Sequence, residues 1–316
     1  MRVALADRVM NALLYLQRLI PLVGVILNRL RFPGFRTGLR VEISGGGKII
    51  YGKGIRVGEG ARIELAPGSH LIMGDGIAIS RGVHFALGLD QQQTIGDRTT
   101  IQDCCRIYGN VAIGRGCIFA PNIFASTGAH TFDAVRHLPI QEQERIAPSR
   151  ERAIRVLDDC WIGINAVLMP GVTIGRGCVV GSNAVVTTDL EPYSVAAGVP
   201  ARTIRKRFNF IPPPRIEAVR ELDLPYFYDG FELMPGARDE HVSEGEFSLA
   251  LGREGARIVR LCLSGDGAEI SHGDSRQPMP RTPGVIEFAL RCDDDSSPFL
   301  KFYAEGRARI RWAELV

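Results

Sequence analysis

The stretch DDCWIGINAVLMPGVTIGRGCVVGSNAVV, residues 158–186, puts an aliphatic side chain at every sixth position: Ile162, Leu168, Ile174, Val180 and Val186. Val156 lies in the same phase. A second run upstream carries Ile95, Ile101, Ile107, Ile113 and Phe119, with Ala125 still in step. Helices repeat at about 3.6 residues and strands alternate at 2, so a sustained period of six calls for short strands joined by turns, each pointing one aliphatic residue inward. Three such strands make one triangular coil. Small residues often follow the inward one, as in Ile113-Gly114, Ile162-Gly163, Ile174-Gly175 and Val180-Gly181, where a corner leaves little room. Strands of a sandwich do not hold one spacing through so many units. The predicted core domain is therefore a parallel β-helix.

Working outward, Val57 and Ile63 are in phase, Met73, Ile79 and Phe85 resume after an offset, and Ile95 needs another. This pattern predicts bulged early coils. Residues 126–155 have no six-residue phase and form a long excursion from the helix wall, carrying His130, Asp133 and His137. Long loops inside a compact domain are where function concentrates. The repeat ends before Pro212-Pro213-Pro214, a run that cannot continue a sheet. Three segments follow: an N-terminal helical segment over 1–36, the β-helix over 37–208, and a C-terminal small β-sandwich over 209–316. In the last, GEFSLAL, ARIVRLCL, GVIEFAL, FLKFYAE and RARIRWAEL read as antiparallel strands, with turns at Gly265-Asp266-Gly267 and Asp293-Asp294-Asp295.

Of 316 residues, 45% are hydrophobic and 23% charged, enough for a buried core, and the 36 glycines match many tight turns. A formal net charge of +3 gives no reason to expect a nucleic-acid partner. Seven cysteines without a CxxC pair suggest neither a disulfide framework nor a zinc site, which fits a reducing cytoplasm. The apolar N-terminus is interrupted by Asp7, Arg8, Gln17, Arg18 and Pro21, so it reads as neither signal peptide nor membrane span. As a helix it has one polar face, around Asp7, Asn11 and Arg18, and one apolar face with Val9, Leu13, Leu16 and Ile20. Packing on the body or a neighbouring subunit and peripheral attachment at the inner membrane are both open to it.

Residues 158–205, from DDCWIG to AAGVPARTIR, closely resemble the terminal coils of hexapeptide-repeat acetyltransferases: the maltose and thiogalactoside enzymes, the xenobiotic acetyltransferases, and the O-acetyltransferases of colanic acid, capsule and lipopolysaccharide synthesis. The resemblance covers roughly residues 40–208 and implies a left-handed β-helix, acetyl-CoA as donor, no metal, a carbohydrate acceptor and a homotrimer with grooves between subunits. Phe119-Ala120-Pro121-Asn122-Ile123, followed at the family's interval by His130, puts His130 on the catalytic histidine. A neutral imidazole, with an ordinary pKa of about 6.5, can take the proton of a hydroxyl as it attacks a thioester.

Asn122 is implied to hold the acceptor, with an asparagine ladder as the alternative; Asp133 orients His130, contacts the acceptor, or is simply an exposed loop carboxylate. Trp161 and Gly163 of the WIG motif, Ser182 and Thr187 beside the pantetheine arm, and Arg202 and Arg205 at the CoA phosphates complete the implied site. Arginine suits phosphate because its planar fork donates two parallel hydrogen bonds. Where the family has a lysine this chain has Thr188, with Lys206 and Arg207 as substitutes. The expected function is O-acetylation of a capsule or lipopolysaccharide glycan. N-acetylation of an amino sugar, and a catalytically silent scaffold carrying a glycan-binding sandwich, are the alternatives. A γ-class carbonic anhydrase needs paired loop histidines, a spacing His84, His130 and His137 do not have.

Overall fold

The computed structural model of the chain describes residues 21–135, 137–147, 151–208, 211–227, 229–231, 240–252, 258–290 and 299–316. It divides into two compact units, Met1–Arg207 and Phe208–Val316.

The first unit is a left-handed parallel β-helix of about 7 turns with three faces. Face one stacks Arg56–Val57, Ala78–Ile79, Thr100–Ile101, Ile118–Phe119, Trp161–Ile162 and Val179–Val180. Face two stacks Arg62–Leu65, His84–Leu87, Arg106–Tyr108, Phe124–Ser126, Val167–Leu168 and Val185–Val186. Face three carries His70–Met73, Gln92–Ile95, Val111–Ile113, Ile154–Val156 and Thr173–Ile174. A strand this short points one side chain out and one in, and the inward set is the six-residue aliphatic series, all buried.

The early coils are not bulged. Residues stacked in successive early coils are 22 apart, against 18 in the regular region. The difference lies in faces two and three, whose early strands are four residues long and bury two side chains each: Ile63 and Leu65, then Leu71 and Met73. Lengthening a strand by two residues, one full β period, keeps the inward side chains inward while shifting the apparent phase.

At the corner between faces three and one, each coil from Thr99 onward is tied to the next by a buried hydroxyl or thiol, where the early coils have Ile55 and Ile77. Thr99 Oγ1 donates to Gly114 O (2.7 Å), and the Sγ atoms of Cys117, Cys160 and Cys178 donate to the carbonyls of Leu157, Gly175 and Glu191 (3.1, 3.1 and 3.0 Å). The thiols are weak donors; those of Cys160 and Cys178 add a second bond to carbonyls that also accept the N–H groups of Cys178 and Ser194 (3.3 Å each). Burial pushes the Cys105 and Cys178 thiols up to about 11.

A helix, Pro21–Arg31 (α1), packs at the N-terminal coil, where Asn28 Nδ2 donates to Val41 O (3.0 Å) and Arg31 to Ile43 O (3.3 Å). The amphipathic faces assigned over residues 7–20 lie outside the described residues. No helix among the described residues is long and apolar enough to cross a membrane.

The second unit is antiparallel, with the strands His241–Ala250, Ile258–Gly265, Gly284–Ala289 and Phe299–Leu315 hydrogen-bonded into one sheet. FLKFYAE and RARIRWAEL, expected as two strands, are a single strand of 17 residues that pairs with His241–Ala250 along most of its length and with Ile258–Gly265 towards its end. Phe247, Phe288 and Phe302 pack together in its core. Tyr303 is exposed and Trp312 is covered by the Arg215 guanidinium at 4.4 Å. The Phe299 side chain and the turn at 293–295 lie outside the described residues.

Candidate active site

The excursion leaves face two after Phe124–Ser126 and returns at Ile154–Val156, so residues that stack across it are 43 apart instead of 18. Its root is closed by the Arg152 N–H, which donates to Thr127 O (3.2 Å). Within it a short helix, Ile140–Ile146 (α2), brings back two side chains that organise the loop. Gln143 is buried and bonds three backbone groups, accepting from Val135 N (3.0 Å) and donating to Phe132 O (3.1 Å) and Leu138 O (2.8 Å). Glu144 accepts the Thr131 N–H at 2.6 Å with the same oxygen that lies 3.5 Å from His130 Nδ1. The His130 side chain is 84% exposed.

This arrangement suits a general base. A carboxylate on the Nδ1 side favours the tautomer protonated there, leaving the Nε2 lone pair free to receive a proton, and it stabilises the imidazolium that results. Glu144 was not legible in the sequence: it sits fourteen residues after His130, across a loop with no period, and only the helix returns it.

The other expected residues fall in four places. Asn122 sits at the corner between faces one and two with φ +62°. Asn165 and Asn183 occupy the same corner in later coils, and their side chains bond at 3.0 Å. Asparagine tolerates this left-handed backbone, so the residue type is explained by the turn. Ser182 is exposed at that corner. Gly163 is buried, and a Cβ there would lie 2.6 Å from Ser182 N and 2.8 Å from Val180 O, backbone of the next coil. Asp133 and His137 are exposed in the excursion.

Trp161, 54% exposed, stands on the outer surface of face one, in a row that runs by register through Val179 and Val195 to Arg205. Three strand spacings put Trp161 and Arg205 about 14 Å apart. Arg202 and Arg205 are exposed on the antiparallel edge strand Arg202–Lys206. Lys206 Nζ bonds Glu191 Oε2 (3.2 Å) and Pro192 O (3.0 Å), and Arg207 pairs with Asp159 (2.6 Å). Both ties hold the last coil.

Thr187 is exposed at the end of face two, following Val185–Val186, whose register with Phe124–Ala125 places it in the column of Ser126. Ser126 stacks in turn on Tyr108, Ala86, Glu64 and Ser44. That edge is hollow: a cavity of about 600 Å³ is lined by this column, by Gly109, Thr127 and Gly128 at the root of the excursion, and by Gln91 and Glu151. Its volume is that of ordinary small-molecule sites, about 300–1,000 Å³. Gly109 is required there, because it has φ +82° and a Cβ would lie 1.8 Å from Thr127 Oγ1. The Tyr108 hydroxyl lies 3.0 Å from His84 Nδ1, and His84 Nε2 lies 3.3 Å from Glu64. Burial raises the Tyr108 pKa, so the phenol stays protonated at neutral pH. None of Glu64, Tyr108 and Glu151 carries a motif that marks it in sequence.

The first unit is thus a three-faced parallel coil with six-residue rungs in its regular part and one histidine-bearing excursion. Residues 153–188 match the family model described as bacterial transferase hexapeptide (six repeats). The chain is 41% identical over 106 residues to a chloramphenicol acetyltransferase of Escherichia coli, covering 31% of this chain and 49% of that protein. It is 38% identical over 96 residues to the galactoside O-acetyltransferase of Escherichia coli K12, covering 30% and 44%. The chain spans about half the length of the curated relatives it matches. Among solved structures, a hexapeptide-repeat acetyltransferase of Vibrio cholerae complexed with acetyl coenzyme A aligns at 26% identity and TM-score 0.38, over 45% of this chain and 72% of that one.

Proposed function

We propose that the chain transfers an acetyl group from acetyl-CoA to a hydroxyl of a carbohydrate acceptor, drawn from a capsule or lipopolysaccharide glycan, with His130 as general base. The observation that carries this reading is the His130–Glu144 pair at the open end of the excursion. His130 Nε2 removes the hydroxyl proton as the oxygen attacks the thioester carbonyl; the tetrahedral intermediate then collapses, forming the ester and releasing the CoA thiolate, which takes the proton back from the imidazolium. Glu144 positions the ring and offsets its charge. Trp161 supplies an apolar wall for the donor, and Arg202 and Arg205 meet its phosphates.

The protein acts as a homotrimer in this reading. His130 leaves the edge between faces two and three, whereas Trp161 and Arg205 share face one, the opposite side of a triangular prism. One chain cannot offer both to one donor molecule, so a neighbour's face one completes the site. The exposed Ile26 and Leu30 of α1, beside Arg29 and Arg31, support peripheral attachment at the cytoplasmic side of the inner membrane.

The test is transfer of radiolabelled acetate from acetyl-CoA to a panel of saccharides, with the product treated with alkaline hydroxylamine. Label that is released marks an ester and supports the proposal. Label that resists marks an amide and favours N-acetylation, while no transfer to any acceptor leaves a binding scaffold.

A further inference from the structure

The cavity at the root of the excursion has a charge character that bears on the acceptor. Its floor is the outward column Ser44, Glu64, Ala86, Tyr108 and Ser126, in which small residues make the hollow and Glu64 and Tyr108 project. Gln91 and Glu151 wall it on the side where the chain turns towards face three. Glu151 accepts from Gln91 Nε2 and from Asn110 Nδ2 (3.0 Å), both neutral amides that hold the carboxylate in place without cancelling its charge. Glu64 is met from one side by the His84 ring, 3.3 Å away. Among the described residues the lining carries two carboxylates and no lysine or arginine; Arg62 and Arg106 lie on the same face two positions earlier in their strands. Gly128, part of the wall, is two residues before His130, which puts the base within about 7 Å of backbone of the cavity wall.

From this juxtaposition we infer that the cavity is the acceptor subsite and that Glu64 and Glu151 make it select a hydroxyl-rich ring that is neutral or bears an ammonium, rejecting rings that bear a carboxylate. The subsite role rests on the acetyl-transfer reading; the charge selection rests on the lining. Hydroxyls on such a ring can donate to Glu64 and Glu151 and exchange hydrogen bonds with Tyr108, whereas a uronate brings a like charge beside two fixed carboxylates, a repulsion that specificity commonly exploits.

The experiment is direct binding to the full chain at pH 7, read by saturation-transfer NMR and titration calorimetry. The probes are methyl glucoside, glucosamine and glucuronate, which differ mainly in charge. Wild type is expected to bind glucosamine at least as well as the glucoside, and glucuronate about five-fold more weakly, a gap that narrows with added salt. The double substitution Glu64→Gln/Glu151→Gln is expected to bring glucuronate within two-fold of the glucoside; far-ultraviolet circular dichroism confirms that it is folded. Equal binding of the three by wild type, no binding of any, or an unchanged ratio in the folded double variant overturns the inference. Acetyl-CoA titrated into the same samples separates the two claims: its failure to bind counts against acetyl transfer, while the saccharide series still reads the cavity.

Discussion

Glu144→Gln is the substitution that isolates the electrostatic part of the site. Glutamine keeps an oxygen able to accept the Thr131 N–H, now made at 2.6 Å, so the loop is expected to keep its shape while losing the charge. That charge stands 3.5 Å from His130 Nδ1, beside a side chain that is 84% exposed. With the dielectric of water, a unit pair at that distance attracts by about 1.2 kcal/mol. The attraction exists only once His130 has taken the proton, so it is a transition-state term and is lost from kcat/KM and kcat together. About 1.2 kcal/mol corresponds to a decrease of roughly seven-fold. This is far smaller than the roughly 10⁴-fold loss when the carboxylate of a buried triad is neutralised. The assay is the initial rate of CoA thiol release with a saccharide acceptor over a range of ionic strength. The ratio of wild type to variant is expected to fall as salt screens the pair. A variant that turns over within two-fold of wild type at low salt would refute the reasoning and leave Glu144 as a loop tie alone.

Three further outcomes are expected. Gly163→Ala drives a methyl against the backbone of the next coil and is expected to cost about 1–3 kcal/mol, read as a lower urea midpoint at unchanged slope; an unshifted midpoint contradicts the packing role. Replacing both Arg202 and Arg205 by alanine is expected to raise KM for acetyl-CoA about ten-fold with kcat little changed, since phosphate contacts far from the reacting carbonyl bind ground and transition states alike. Cys105 and Cys178, raised to about 11 in the fold from an ordinary 9.0, favour the protonated folded state. Their contribution is fully present below pH 9 and is lost as pH rises through 11, so the thermal midpoint should hold to pH 9 and then fall; a midpoint flat to pH 11 contradicts this.

The β-helix was legible because its period is imposed locally: two-residue strands and a turn fix one inward side chain every six residues, and Ile95 to Phe119 and Val156 to Val186 follow that rule without help from distant contacts. The early offsets misread as bulges come from the same rule with longer strands, a change of two residues that leaves the side-chain direction intact. His130 was singled out by its interval after Asn122, which matches that of the family the chain resembles. Glu144, Glu151 and the Glu64–His84–Tyr108 set were not, since each depends on stacking between residues about 20 apart or on the return of the excursion. Gly163 and Asn122 meet structural requirements that the sequence also offered, a crowded corner after Ile162 and an asparagine at a repeated turn. In the second unit the local alternation was visible, but not that two strand signals join into one, because pairing with His241–Ala250 resumes beyond a bulge at Glu305–Gly306 and only that distant partner keeps the two halves in one strand.

The measurement closest to the central claim compares wild type and His130→Ala for acetyl-CoA binding by calorimetry and for acetyl transfer to a saccharide acceptor. Removal of a general base is expected to lower kcat by about 10²–10⁴ while acetyl-CoA affinity stays within two-fold, because His130 touches the reacting hydroxyl and not the donor's phosphates. Transfer that persists at the wild-type rate in the folded variant would contradict the account and move the base elsewhere on the chain.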